Sequence, residues 1–170
     1  MRSIYKIVVC SLLTLSITSC EKDLLEKEQY QKEIYLIGAY NRVWTTEVSY
    51  SNEEVKTYFT VSSSGTLALD RDVNVKMKIN EELVDIYNKK YWTVLNEDKY
   101  YKSLDTDLYS IPSLENTVIK HAEGISTEVP VLIKTASLKI DQSYVIPVEI
   151  ESTTGYPVST SGYKMLVLLK

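Results

Sequence analysis

Apolar and polar residues alternate with a period of two along most of the chain after Ile34. Val73, Val75, Met77 and Ile79 alternate with Asn74, Lys76, Lys78 and Asn80, which predicts a half-buried strand with one wet face. Val55, Thr57, Phe59 and Val61 repeat the pattern against Lys56, Tyr58 and Thr60. Val129, Val131 and Ile133 form a third set. Tyr144, Ile146, Val148 and Ile150 form a fourth, with Glu149 and Glu151 facing out. Lys164–Leu169 is apolar on both faces, so it is read as central or covered. Turn signals at Ser64-Gly65, Asp70-Arg71-Asp72, Glu123-Gly124, Asp141-Gln142 and Thr154-Gly155 separate the runs. The pattern predicts a mainly β protein, a two-sheet β-sandwich. Pro130 and Pro147 fall inside strand-like runs and predict edges or bulges, because proline has no N–H for the ladder.

One segment changes period. Residues 80–91 place Leu83, Ile86, Tyr87 and Tyr91 at helical spacing. Asn80 suits the N-cap, Glu81 and Glu82 the first turn, and Lys89 and Lys90 the last turn, all favourable to the helix dipole. A short crossover helix between two strands is expected. Residues 92–108 are the longest piece without a period and the expected functional loop.

The amino terminus has a different logic. Arg2 and Lys6 precede an apolar run at residues 7–15, too short to span a bilayer, and Ile17-Thr18-Ser19-Cys20 resembles a bacterial lipobox. The expected organisation is a lipoprotein signal peptide at 1–19, an acylated Cys20 with a charged tether at 20–33, and a β-sandwich domain at 34–170. Cleavage at a nearby small residue, without a lipid, is the alternative. Glu21-Lys22-Asp23 resembles the acidic surface-export signal of Bacteroidetes lipoproteins, which points to the outer membrane and its cell-surface face. The expected membrane partner is the bilayer itself, reached through the lipid on Cys20.

Composition narrows the chemistry. The other cysteine, Cys10, lies in the signal, so the folded domain has neither thiol nor disulfide. Losing Arg2 and Lys6 from 19 basic residues leaves 17 against 23 acidic ones, a net charge of −6. With no Lys/Arg cluster, nucleic acid is not an expected partner. The 14 tyrosines against one phenylalanine suit half-exposed strands, and they also supply rings for a ligand platform.

The strand 72–79, the Leu83-Val84 and Tyr87-Asn88 pairs, Tyr109-Ser110-Ile111, Val118-Ile119 and Glu123-Gly124 form one part of a larger pattern. Residues 128–134, Leu138 and 144–148 complete it. Together they resemble the Bacteroidetes lipoprotein family known as domain of unknown function 1735. The resemblance implies an immunoglobulin-like sandwich on a surface lipoprotein encoded among polysaccharide-utilisation genes. Relatives often continue into a carbohydrate-binding or glycoside-hydrolase module. The chain departs from the family's Leu-Pro with Leu95-Asn96 and a longer following loop.

Catalytic signatures are sparse. His121 is the only histidine, so the usual zinc sites and a supported Ser-His-Asp triad have no basis. No metal and no cofactor is expected, although Asp105 and Asp107 offer oxygen ligands to calcium. An enzyme is not expected, because no carboxylate pair is singled out for glycosidase chemistry.

Aromatic rings beside polar groups suit sugars, whose C–H faces stack and whose hydroxyls need partners. Trp92, Asn96, Asp98, Tyr100 and Tyr101 supply both within one loop, and Trp44 and Tyr50 flank a second turn. The structural alternative has Trp92 plugging the sandwich end and Tyr91 closing the helix face. The expected function is non-enzymatic: an accessory or binding module for polysaccharide capture, with a glycan or outer-membrane glycan-transport proteins as partners. A structural or adhesive module that binds another protein is the alternative.

Overall fold

The period-two runs pair into two sheets in the computed structural model, which describes Glu28 and residues 30–170. One sheet orders β1 (Ile34–Leu36), β3 (Glu54–Ser63), β8 (Ser126–Lys134) and β6 (Tyr109–Ser110). The other orders β2 (Val43–Thr46), β10 (Lys164–Leu169), β9 (Tyr144–Thr153), β4 (Val73–Ile79) and β7 (Thr117–Ile119). A short β5 (Lys102–Ser103) lies parallel to the start of β9. The expected two-sheet sandwich is the observed architecture.

Alternation sends one face of each long strand inward. Phe59, Val61, Val129 and Val131 from one sheet pack with Val75, Met77, Ile146, Val148 and Val167 from the other. Each large apolar side chain buried this way contributes about 1.5–3 kcal/mol. Strand β10 is apolar on both faces because it is covered on both. Met165 and Val167 join the core between the sheets, while Leu166 and Leu168 form a second cluster with Leu83, Val84 and Val145.

The cover is α1 (Glu82–Tyr91). The N-cap is Glu81, one residue later than expected, and Asn80 before it accepts the Glu82 N–H on its Oδ1 at 3.2 Å. The buried face differs from the expected one. Leu83, Val84 and Asn88 are buried, whereas Ile86 is 53% and Tyr91 47% exposed. The sheet beneath offers only a narrow apolar strip, Val145, Leu166 and Leu168, so the wider apolar face of α1 overhangs it.

The two prolines find different solutions. Ser63 donates to Ile125 at 2.8 Å, which sets the ladder phase of β3 and β8. By that phase the Pro130 nitrogen faces away from β3, on the side that β6 leaves open because it pairs only Leu132 and Ile133. Pro147 is neither on an edge strand nor at a bulge, which corrects that expectation; β9 lies between β10 and β4, and its register shift falls opposite Lys76 and Met77. There Asn80 donates to the Pro147 carbonyl at 3.0 Å, and the Asn80 carbonyl accepts Leu83 N–H at 3.1 Å. Proline thus removes a ladder bond just where β4 leaves the sheet and turns into α1.

The expected signal peptide at 1–19, Cys20 and tether residues 21–27 and 29 lie outside the described residues. Glu28, in the stretch read as tether, touches the domain: its carboxylate accepts the Thr66 N–H at 2.9 Å and the Leu67 N–H at 3.2 Å. Lys32 pairs with Glu28 at 2.6 Å, and these donors hold the Glu28 carboxyl down at about 2.

Candidate functional site

The overhang of α1 leaves a groove of about 500 Å³ between the helix, β10 and the turn before β2. Leu83 and Leu166 line it from the second apolar cluster, and Ile86 and Tyr87 line it from the helix. Tyr40, 65% exposed, comes from the short 3-10 turn Ala39–Asn41, and Tyr163 from the approach to β10. Thr160 and Ser161 complete the rim. Three tyrosines beside a threonine and a serine give a ligand both stacking surface and hydrogen-bond partners.

Arg42 and Lys164 are the charged side chains of the groove. Arg42 has φ 64°, the only non-glycine residue with positive φ among those described, a conformation that costs an L-residue about 1–2 kcal/mol. Its N–H donates to Ala39 and its carbonyl accepts from Leu166, both at 2.8 Å, so the backbone on either side holds it there. Lys164 Nζ lies 4.9 Å from the Tyr163 ring centre.

The residues singled out in the sequence fall in four places, none of them lining the groove. Tyr101 comes nearest: its ring stacks on Tyr87 at 5.2 Å and 14°, and Tyr87 in turn meets Tyr91 at 4.5 Å. Burial, then the neighbouring Tyr101, pushes the Tyr87 phenol above its ordinary pKa.

Asn96 and Asp98 lie within the 3-10 segment Val94–Lys99, with Trp92 before it and Tyr100 at its C-cap. Trp92 is half-buried with Lys99 Nζ 5.8 Å from its ring and belongs to neither apolar cluster, so it does not plug the sandwich. Its indole N–H is shielded from water and has no partner among the described residues. Asn96 bonds Thr93 at 3.0 Å, Asp98 is exposed, and the Tyr100 carbonyl accepts from Gln142 at 3.4 Å. Val94 and Leu95 stand 75% and 90% exposed beside them.

Trp44 and Tyr50 part company. Trp44 packs on the core and on Gly38, whereas Tyr50 is 64% exposed, donates to the Ala136 carbonyl at 3.3 Å, and lines a shallow depression with Leu138 and Ile140. His121 sits in an exposed turn, its Nδ1 2.7 Å from Asp72. Among the described residues no group of three or more His, Cys, Asp or Glu side chains is placed to hold a metal.

Sequence reasoning missed Tyr40, Arg42, Tyr163 and Lys164. A faint signal existed in Ile86: the apolar face of the helix is wider than a strand pair covers, and the uncovered part is the groove.

The fold and groove define a class, a two-sheet sandwich with a helix-roofed recess on one outer face. A family model describing an N-terminal domain matches residues 30–157, and the chain belongs to that family, in agreement with the resemblance to domain of unknown function 1735. No curated protein matches the sequence. Among solved structures, a carbohydrate-binding protein (so described provisionally) from Bacteroides ovatus superposes with TM-score 0.62 and 18% identity, covering 81% of this chain and 36% of that one. A multidomain protein including domain of unknown function 1735, also from Bacteroides ovatus, gives TM-score 0.60 and 18% identity over 76% of this chain and 40% of that one. EndoBT-3987 of Bacteroides thetaiotaomicron, solved with a Man5GlcNAc product, gives TM-score 0.58 and 17% identity over 81% and 30%. This chain spans well under half the length of each, and at these identities the likeness is one of fold.

Proposed function

We propose that the protein is a non-enzymatic glycan-binding module of a polysaccharide-capture apparatus, and that the groove under α1 is its binding site. The observation that carries the reading is the meeting of Tyr40, Tyr87 and Tyr163 with Thr160 and Ser161 in one recess. Family membership and a carbohydrate-binding protein of the same fold support it. None of the described residues lining the groove is Asp or Glu, so the recess favours holding a sugar over hydrolysing one.

The proposed setting is the outer membrane, at the cell surface, through a lipid on Cys20. Among the described residues no helix is long and apolar enough to cross a membrane. Glycan-transport proteins of the same membrane are the proposed protein partners.

The test is a glycan array probed with the full chain and with Tyr87→Ala and Tyr163→Ala variants. Binding that is lost in both folded variants supports the site; binding untouched by either removes it from the groove.

The exposed pair Val94 and Leu95 favours a second reading, a module that docks on another protein through the 3-10 segment. A stoichiometric partner retained by Tyr87→Ala and lost by Leu95→Glu would put that reading first.

A further inference from the structure

We infer that the groove takes an acidic sugar, one bearing a carboxylate or sulfate, with Arg42 and Lys164 as the groups that select it. This rests on the glycan reading of the same groove. The two charged side chains lining the recess are both cations, and no described lining residue is acidic. The chain as a whole carries net charge −4, so the groove is a local reversal of sign. An anion is drawn to this place and repelled by much of the remaining surface.

The cations are not used up within the fold. Neither Arg42 nor Lys164 forms an ion pair among the described residues. The carboxylate nearest by register is Glu149, opposite Lys164 across β9 and β10. It is engaged elsewhere: Oε2 accepts from Asn80 Nδ2 at 2.5 Å, and Oε1 lies 3.7 Å from Lys78 Nζ. Glu82 and Asp85 lie in the first turn of α1, but neither lines the groove.

Arg42 adds an independent observation. Its left-handed backbone would suit glycine, yet the position carries a long cationic side chain at the groove. Strain kept at a ligand-facing residue points to use of that side chain. A guanidinium matches the two oxygens of a carboxylate or sulfate in a fork, and the Lys164 ammonium adds a second charge beside the Tyr163 ring. Tyr87 and Tyr40 then supply surface for the sugar itself.

The experiment is isothermal titration calorimetry of the full chain in detergent with three probes of equal length: an oligogalacturonide for carboxylate, a carrageenan oligosaccharide for sulfate, and a neutral manno-oligosaccharide. At least one acidic probe is expected to bind about tenfold or more tightly than the neutral one. That advantage shrinks as salt rises from about 0.05 to about 0.5 M. The double variant Arg42→Gln/Lys164→Gln, checked for folding by circular dichroism, loses the advantage, its acidic and neutral probes binding alike. Arg42→Lys, with charge but no fork, retains part of it.

Equal binding of acidic and neutral probes, or an advantage that survives the folded double variant, overturns the inference while leaving a glycan module standing. Failure of all three probes to bind overturns it together with the groove reading. The probe preferred separates carboxylate from sulfate.

Discussion

The side chain of Asn88 grips the backbone of Tyr101 from both sides: Nδ2 donates to the Tyr101 carbonyl at 2.9 Å, and Oδ1 accepts its N–H at 3.0 Å. An asparagine side-chain amide stands in for a strand, at a residue only 5% exposed. The clamp fixes Tyr101 against Tyr87 and so ties the loop after α1 to the edge of the groove.

Asn88→Ala should therefore cost roughly 1–3 kcal/mol, because it strands two backbone groups beneath the helix. Thermal unfolding measures the loss, and hydrogen exchange should show the Tyr101 amide released earlier than its neighbours. Unchanged stability would mean that water replaces the clamp without penalty.

Gly38 has φ 88°, and a Cβ added there would lie 2.6 Å from Trp44 Cε3. Gly38→Ala thus combines backbone strain with a clash against an aromatic ring seated on the core. A loss of about 2 kcal/mol or more in urea unfolding is expected, with a shift in tryptophan emission. A neutral substitution would show that Trp44 yields easily, and its structural role would shrink.

Asp72 accepts an ion pair from Lys120 at 2.7 Å, the Nδ1 contact of His121 at 2.7 Å and the His121 backbone N–H at 3.1 Å. The hydrogen bond from Lys120, then those from His121, hold its carboxyl well below the ordinary aspartate range. A folded pKa below the unfolded one stabilises above the unfolded value, and the gain is lost as pH falls toward the folded value. Asp72→Asn should be less stable than the parent near pH 7, with the gap closing below about pH 4. The effect is small because the pair is solvent-exposed. A gap that stays constant down to acid pH would assign the effect to something other than charge.

Cys20→Ala should abolish acyl labelling and move the protein out of the membrane fraction. A variant that remains membrane-bound and lipid-labelled would show that the lipobox resemblance at residues 17–20 misleads.

Local chemistry wrote much of the fold into the sequence. The side-chain period of two marked β3, β4, β8 and β9, and the double apolar face of β10 announced that something covers it. Asn80, the glutamates and the lysines marked α1, because caps and dipole preferences act over a single turn. Short strands escaped notice: β1, β2, β5, β6 and β7 have two to four residues each, too few for a period to show.

Tyrosine abundance and an aromatic-polar loop were also legible, and they drew attention to Trp92 and its neighbours. Only the tertiary structure brought Tyr40 and Arg42 together with Tyr163 and Lys164, more than a hundred residues away, and both pairs under α1. Periodicity tells which face of an element is apolar, because that depends on the element alone. How much of the face its neighbours cover depends on the width of the sheet beneath, and that uncovered remainder made the groove.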